Sequence, residues 1–188
     1  MIPYTIDRRP DTGVTNVTMG VWLLLASEVM LFGALFSSYA LLRTAAVDWP
    51  SGRAVLNLPS AIGNTAVLGL VTALAWRARR VASVSIRWWL GAGATLAVLF
   101  VLLQAAEYST AIAAGWRPST NTFFATYFTL TGLHACHVLA GAVANVWTIA
   151  GAAQVPPALT GGRVHGLSLY WMFVVAVWIL IVGLLYLS

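Results

Sequence analysis

Along the chain, long apolar blocks alternate with short polar gaps. The first block, 17–43, is rich in Leu, Ala and Val and is closed by Asp48, Trp49 and Pro50. The second, 58–76, carries Pro59 in its first turn and stops at Arg77, Arg79 and Arg80. The third, 88–113, follows Arg87 and the Trp88-Trp89 pair and ends in a turn from Gly115 to Pro118. A fourth covers 121–150, and a fifth, 166–187, follows a loop marked by Pro156, Pro157, Gly161 and Gly162. About 20 apolar residues cross a ~30 Å hydrocarbon core as a helix. The pattern therefore predicts an all-α, polytopic bundle of five transmembrane helices. Residues 1–16, with Pro3, Arg8, Arg9, Pro10 and Asp11, read as a polar aqueous arm, and 17–188 as a single membrane domain. The fourth block is long for one span and is expected to protrude at its C-terminal end.

Composition strengthens this reading. The chain has 188 residues, is 60% hydrophobic and only 8% charged, which is more apolar surface than one soluble core hides. The charges fall almost wholly in the gaps, whereas a soluble bundle would need a solvated face on every helix. The net charge of +5 comes from arginine alone, clustered at block ends, so no basic stripe for nucleic acid exists. With the N-terminus inside, Arg8, Arg9, Arg77, Arg79, Arg80, Arg87 and Arg163 are cytoplasmic, against Arg43, Arg53 and Arg117 outside. This predicts a cytoplasmic N-terminus and an external C-terminus. Cys136 is the single cysteine, so no intrachain disulfide forms, and it reads as a small buried filler. The first block is too long for a signal-peptide core and is expected to be retained as a span.

Few residues carry chemistry. Glu28, near the middle of the first block, would cost several kcal/mol unpaired, so it is neutral, paired or wetted. Two readings stand: a protonated acid bonded within the bundle, or a proton-handling or partner-contacting group. Glu107, near the outer end of the third block, forms a polar corner with Gln104, for which holding helix ends together and a functional role stand equally. His134 and His137 share a face with Gly141 and Asn145, a small-and-polar stripe of the kind that packs against other membrane helices. The sharper alternative is metal or haem ligation by the two histidines, with Glu28 or Glu107 completing a shell. A bundle di-iron site needs Glu-x-x-His on two helices, and a bis-His haem needs facing histidines, whereas His165 lies at a loop edge. No nucleophilic constellation, phosphate loop or dinucleotide fingerprint is present. No metal site and no catalytic residue is therefore assigned to this chain.

Three stretches resemble the subunit III family of cytochrome c oxidases and related quinol oxidases: Leu24-Leu25-Ala26-Ser27-Glu28-Val29-Met30-Leu31-Phe32, Leu102-Leu103-Gln104-Ala105-Ala106-Glu107-Tyr108, and Gly132-Leu133-His134-Ala135-Cys136-His137-Val138-Leu139-Ala140-Gly141. Their order and separation match as well. The likeness continues through Trp49-Pro50, Leu58-Pro59, Asn64-Thr65 and Tyr170-Trp171-x-Phe173 to Trp178. It implies the shorter five-helix form, without the front two-helix unit of longer members, so their V-shaped lipid cleft is expected to be incomplete. It also implies a subunit with no cofactor of its own, bound to a catalytic subunit I that holds the haems and copper, with subunit II as the other core partner. Bound phospholipids, a bacterial inner membrane and a larger respiratory supercomplex belong to the same expectation. On this resemblance Glu28 is the membrane-embedded carboxylate facing subunit I, supporting proton uptake and protecting the complex during turnover. Gln104, Glu107, Tyr108, His134, His137 and Asn145 fall at polar packing or lipid-contact positions.

The chain departs from the family pattern in its last block, where Met172 and Val175 replace the usual His and Asp. His165 stands where Glu is frequent and Cys136 where Gly is usual. Two other readings compete: an accessory protein of a nitric-oxide-reducing system, which would share these motifs, and a small transporter or channel lined by Glu28 and the fourth-block stripe. The second lacks broken helices and inverted halves.

Overall fold

The computed structural model describes residues 4, 5, 7–80 and 83–187. Pro3 of the expected arm and Ser188 at the end of the expected domain lie outside them. The elements are α1 (Asn16–Ala45), α2 (Gly52–Val55), α3 (Leu58–Ala78), α4 (Ser83–Ala113), α5 (Thr122–Gly151) and α6 (Pro157–Leu185). All but the short α2 are long and apolar enough to cross a membrane. No strand occurs among the described residues.

The helix starts follow from short polar side chains that satisfy orphan N–H groups. Thr15 Oγ1 accepts from Thr18 N–H at 3.3 Å, Asn57 Oδ1 from Ser60 N–H at 3.2 Å, and Asn121 Oδ1 from Phe124 N–H at 2.9 Å. Between α4 and α5 the chain reverses through Gly115, whose φ of +89° favours glycine. Outside the bundle, Arg9 Nε and Nη2 each donate to Asp11 at 3.0 Å, closing a small turn of the arm.

Three boundaries differ from those expected. The last helix starts at Pro157 rather than 166, so the expected loop forms its first turns. Pro157 needs no N–H donor at that position, and Gly162 and Gly166 let α6 approach Val17 and Val21 of α1. α4 starts at Ser83 rather than 88, and α3 continues to Ala78 past Arg77. Arginine ends an apolar block without ending a helix, because its backbone keeps the hydrogen-bond ladder while the guanidinium reaches outward.

α3, α4, α5 and α6 form a closed four-helix bundle, each packed on two neighbours, and α1 lies outside it against α6 and α5. The buried positions repeat alternately every four and three residues. In α6 they include Thr160, Val164, Leu167, Trp171, Val174, Trp178, Ile181 and Leu185; in α3 they are Ala61, Asn64, Leu68, Val71, Ala75 and Ala78. That is the 3.5-residue repeat of helices packed side by side at a shallow angle. Of its 30 residues α1 buries only Leu25, Phe32 and Tyr39, which stand at regular two-turn intervals.

Lipid is as apolar as this core, so hydrophobicity alone does not draw such helices together; close packing and hydrogen bonds do. Accordingly, the seams contain buried Asn64, Gln104, Thr131, His134, Asn145 and Thr148 among large aromatics. Cys136, expected to be a buried filler, is exposed on the outer face of α5. It sits two residues beyond buried His134, a rotation that carries it off the seam.

Candidate functional site

The polar groups expected to matter form three separate centres. At the first, Glu28 of α1 lies roughly 18 Å along the helix axis from Asn16. Its Oε2 is 2.7 Å from Nε2 of His137 on α5, and the two side chains are 17% and 14% exposed. His137 Nδ1 is 2.8 Å from the carbonyl oxygen of Leu133. A carbonyl only accepts, so Nδ1 carries a hydrogen and donates. The remaining proton then lies on the Nε2···Oε2 line, on either partner: a carboxylic acid beside neutral imidazole, or a carboxylate beside imidazolium. Both forms are net neutral and both keep the hydrogen bond. The Phe32 ring abuts His137 edge-on at 5.1 Å, and Tyr170 Oη donates to the His137 carbonyl at 2.8 Å, fixing the α5 backbone against α6. An apolar groove of about 420 Å³ opens beside the pair, with Glu28 and His137 in one wall and Arg163 also lining it.

The second centre is Glu107. Tyr127 and Tyr186 donate to Oε1 at 3.0 and 2.8 Å, and Ser60 donates to Oε2 at 3.1 Å. Gln104, fully buried, donates to Tyr127 Oη at 3.3 Å and accepts from Asn64 at 3.4 Å. Beside it, Thr131 spends its hydrogen on the Tyr127 carbonyl at 2.6 Å, so Tyr108 is the donor in the 2.6 Å bond between their hydroxyls. Donors from α3, α5 and the residue after α6 thus converge on one α4 side chain.

The third centre is internal to the bundle. His134 is fully buried and neither ring nitrogen has a hydrogen-bond partner. Its ring stacks on Trp178 at 5.2 Å and meets Phe100 edge-on at 5.7 Å. Aromatic side chains thus pack against its imidazole from α4 and α6. About three helical turns along, Asn145 bridges three helices, accepting from Trp171 Nε1 at 3.1 Å and donating to the Leu90 carbonyl at 3.2 Å.

The structure therefore splits the expected stripe. His134, Gly141 and Asn145 turn into the bundle, whereas His137 turns to α1 and meets Glu28. The Glu28 and His137 partnership was missed by sequence reasoning, although an acid that needs a partner in lipid and a mid-helix histidine were both in view. Ser60 and Tyr186 carried no such signal. Among the described residues no group of three or more His, Cys, Asp or Glu side chains gathers to hold a metal ion.

No protein-family model matches the chain. The cytochrome bo(3) ubiquinol oxidase subunit 3 of Pseudomonas aeruginosa is 32% identical over 96% of this chain and 88% of its own length. The cytochrome c oxidase subunit 3 of Corynebacterium diphtheriae is 32% identical over 87% of this chain and 83% of its own. That of Bacillus sp. PS3 is 27% identical, covering 98% and 92%. Identity at this level over nearly the full length of both chains, joined to five membrane-length helices, makes this chain a member of the subunit 3 family of haem-copper terminal oxidases.

Proposed function

We propose that this subunit packs on the catalytic subunit I of a bacterial inner-membrane oxidase, beside subunit II. Its N-terminus is cytoplasmic, its C-terminus external, and all haems and copper lie in its partners. Within that assembly Glu28 and His137 form a proton-holding pair at the face toward subunit I, and Gln104, Glu107, Tyr108, His134 and Asn145 serve packing. The observation that carries the reading is the 2.7 Å contact deep within α1, the helix with the fewest buried residues of the five.

The chemistry follows from the locked tautomer. With Nδ1–H held by Leu133, one proton shuttles between Nε2 and Oε2 without changing the net charge of the pair. Placing charge in lipid is costly, so the pair rests neutral. As a reserve beside a proton path, it becomes a carboxylate beside neutral imidazole only when it hands its proton on, and regains neutrality when a proton returns to it through the adjoining groove. The groove next to it gives the pair an opening on its outer side. Such a reserve sustains proton uptake when turnover outpaces supply from bulk water, and so protects the catalytic subunit.

The test is Glu28→Gln in the assembled complex. Haem and copper spectra should be unchanged while activity decays faster during sustained turnover and its pH dependence shifts. Unaltered durability and pH dependence would reduce the pair to a packing contact.

A further inference from the structure

α3 turns one stripe away from the bundle, Ile62, Ala66, Gly69, Ala73 and Trp76, continued by Arg80 in the turn after the helix, all exposed and three or four residues apart. Small residues in its middle and exposed Met172 on α6 leave a furrow of about 540 Å³ between the two helices. A Cβ on Gly69 would meet no atom within 4 Å, so the furrow is open there. From Gly69 to the end of α3 at Ala78 it runs roughly 14 Å, with Arg80 just beyond.

Its mouth is basic. Arg77 and Arg80 line it, and Arg79 adjoins. None of the three forms an ion pair among the described residues. Of the chain's five Asp and Glu side chains, Asp7 and Asp11 lie exposed in the N-terminal arm, Asp11 engaged by Arg9, while Glu28 is engaged by His137, Glu107 by three hydroxyls, and Asp48 lies before the opposite end of α3. The guanidinium carbons of Arg79 and Arg80 lie 4.5 and 5.9 Å from the Trp76 ring centroid, and that of Arg77 lies 5.7 Å from Trp89. A guanidinium stacked on a ring engages through its face and keeps its in-plane N–H edge for a planar or tetrahedral oxyanion. Among the described residues no carboxylate pairs with these three cations, which leaves them open to an anion from outside the chain.

From this geometry we infer that the α3–α6 furrow is a binding site for a phospholipid of net negative headgroup charge. The phosphodiester sits on Arg77 and Arg80, Trp76 lies at the level of the ester groups, and one acyl chain runs over Gly69 and Ala73 against Met172. A free phosphate would use the arginines but not the apolar trough, and a zwitterionic lipid would use the trough but leave the cations unbalanced. Basic pockets between membrane helices select anionic headgroups on the same grounds.

The test uses the intact complex in neutral detergent, titrated with dioleoyl phosphatidylglycerol or dioleoyl phosphatidylcholine, with lipid retained on this subunit read by native mass spectrometry. Phosphatidylglycerol should be retained in preference. Arg77→Gln with Arg80→Gln should lower its retention by on the order of fivefold per arginine, and the two Lys substitutions should restore part of it. Gly69→Leu, which projects into open space, should displace both lipids without disturbing the fold. Glu28→Gln should leave retention unchanged, which separates this site from the proton-holding pair. Equal retention of the two lipids, full retention by the Gln variant, or displacement by millimolar inorganic phosphate, the mark of an anion site without a lipid, would each overturn the proposal. So would a short cross-linker joining Ala73→Cys, in a Cys136→Ser background, to a partner polypeptide, because a protein would then cover the furrow.

Discussion

Gly141 of α5 and Trp171 of α6 meet so closely that a Cβ on the glycine would lie 2.7 Å from Cζ2 and 2.8 Å from Cη2 of the indole. The indole has no room to swing aside, because its Nε1 is tied to Asn145. These two residues set how near α5 and α6 approach. Gly141→Ala should therefore destabilise the subunit by about 1–3 kcal/mol, the usual range for overpacking a filled core. Thermal melting of the complex in detergent measures this. Adding Trp171→Phe, which shortens the ring, should recover part of the loss.

Substitutions at Glu28 and His137 should separate stability from proton storage. With His137 Nδ1–H donated to Leu133, Nε2 of the neutral ring is an acceptor, and a Gln amide at position 28 donates to it. Glu28→Gln is expected to melt within about 1 kcal/mol of the parent, while His137→Phe leaves a carboxyl unpaired and costs on the order of 2–3 kcal/mol. An infrared band sensitive to deuteration and lost in Glu28→Gln would mark the proton on the carboxyl.

Glu107 should behave as a structural acceptor. Glu107→Ala strands the hydroxyls of Ser60, Tyr127 and Tyr186, for an expected cost of about 2–4 kcal/mol. Turnover durability at a temperature where the variant stays folded should match the parent, which a melting curve paired with a long activity trace would reveal.

Position 115 offers a backbone test independent of side-chain contacts. A Cβ there meets nothing within 4 Å, yet the φ of +89° is one that L side chains rarely adopt. Gly115→Ala should cost about 1–2 kcal/mol through conformation alone, and Gly63→Ala, also in open space but with ordinary helical φ, should cost nothing measurable in the same melting assay.

In the arm, the Arg9 guanidinium, hydrogen-bonded to both oxygens of Asp11, holds that carboxyl below its usual range. A carboxyl depressed in the folded arm favours the turn above its ordinary pKa, and this preference is lost as pH falls through the depressed value. Arg9→Gln should bring the Asp11 titration, followed by NMR of an isotope-labelled sample, back up to the ordinary range.

Much of this was legible before any coordinates. Apolar block length reveals the five spans because lipid demands about 20 residues per crossing and tolerates few charges. The start of α6 was hidden because Pro157, Gly161 and Gly162 read as loop residues wherever tertiary packing is unknown, and here Gly162 lies against Val17. Exposure of Cys136 was hidden for a related reason. In lipid the outward face is as apolar as the inward one, so no amphipathic contrast tells the faces of α5 apart. The carboxylate partners were hidden because Glu28 and His137 are far apart in sequence, and only the packing of α1 on α5 brings them together.

The seam of α1 bears on how the chain is assembled. Leu25, Phe32 and Tyr39 are its buried anchors, joined by the Glu28 bond to His137 and by the Tyr39 hydroxyl donating to the Leu184 carbonyl. Every one of those polar fasteners lies on α5 or α6, which follow α1 in the chain and so are synthesised after it. α1 is therefore made well before it can be secured, and it waits in the bilayer with a bare acid until α5 and α6 arrive.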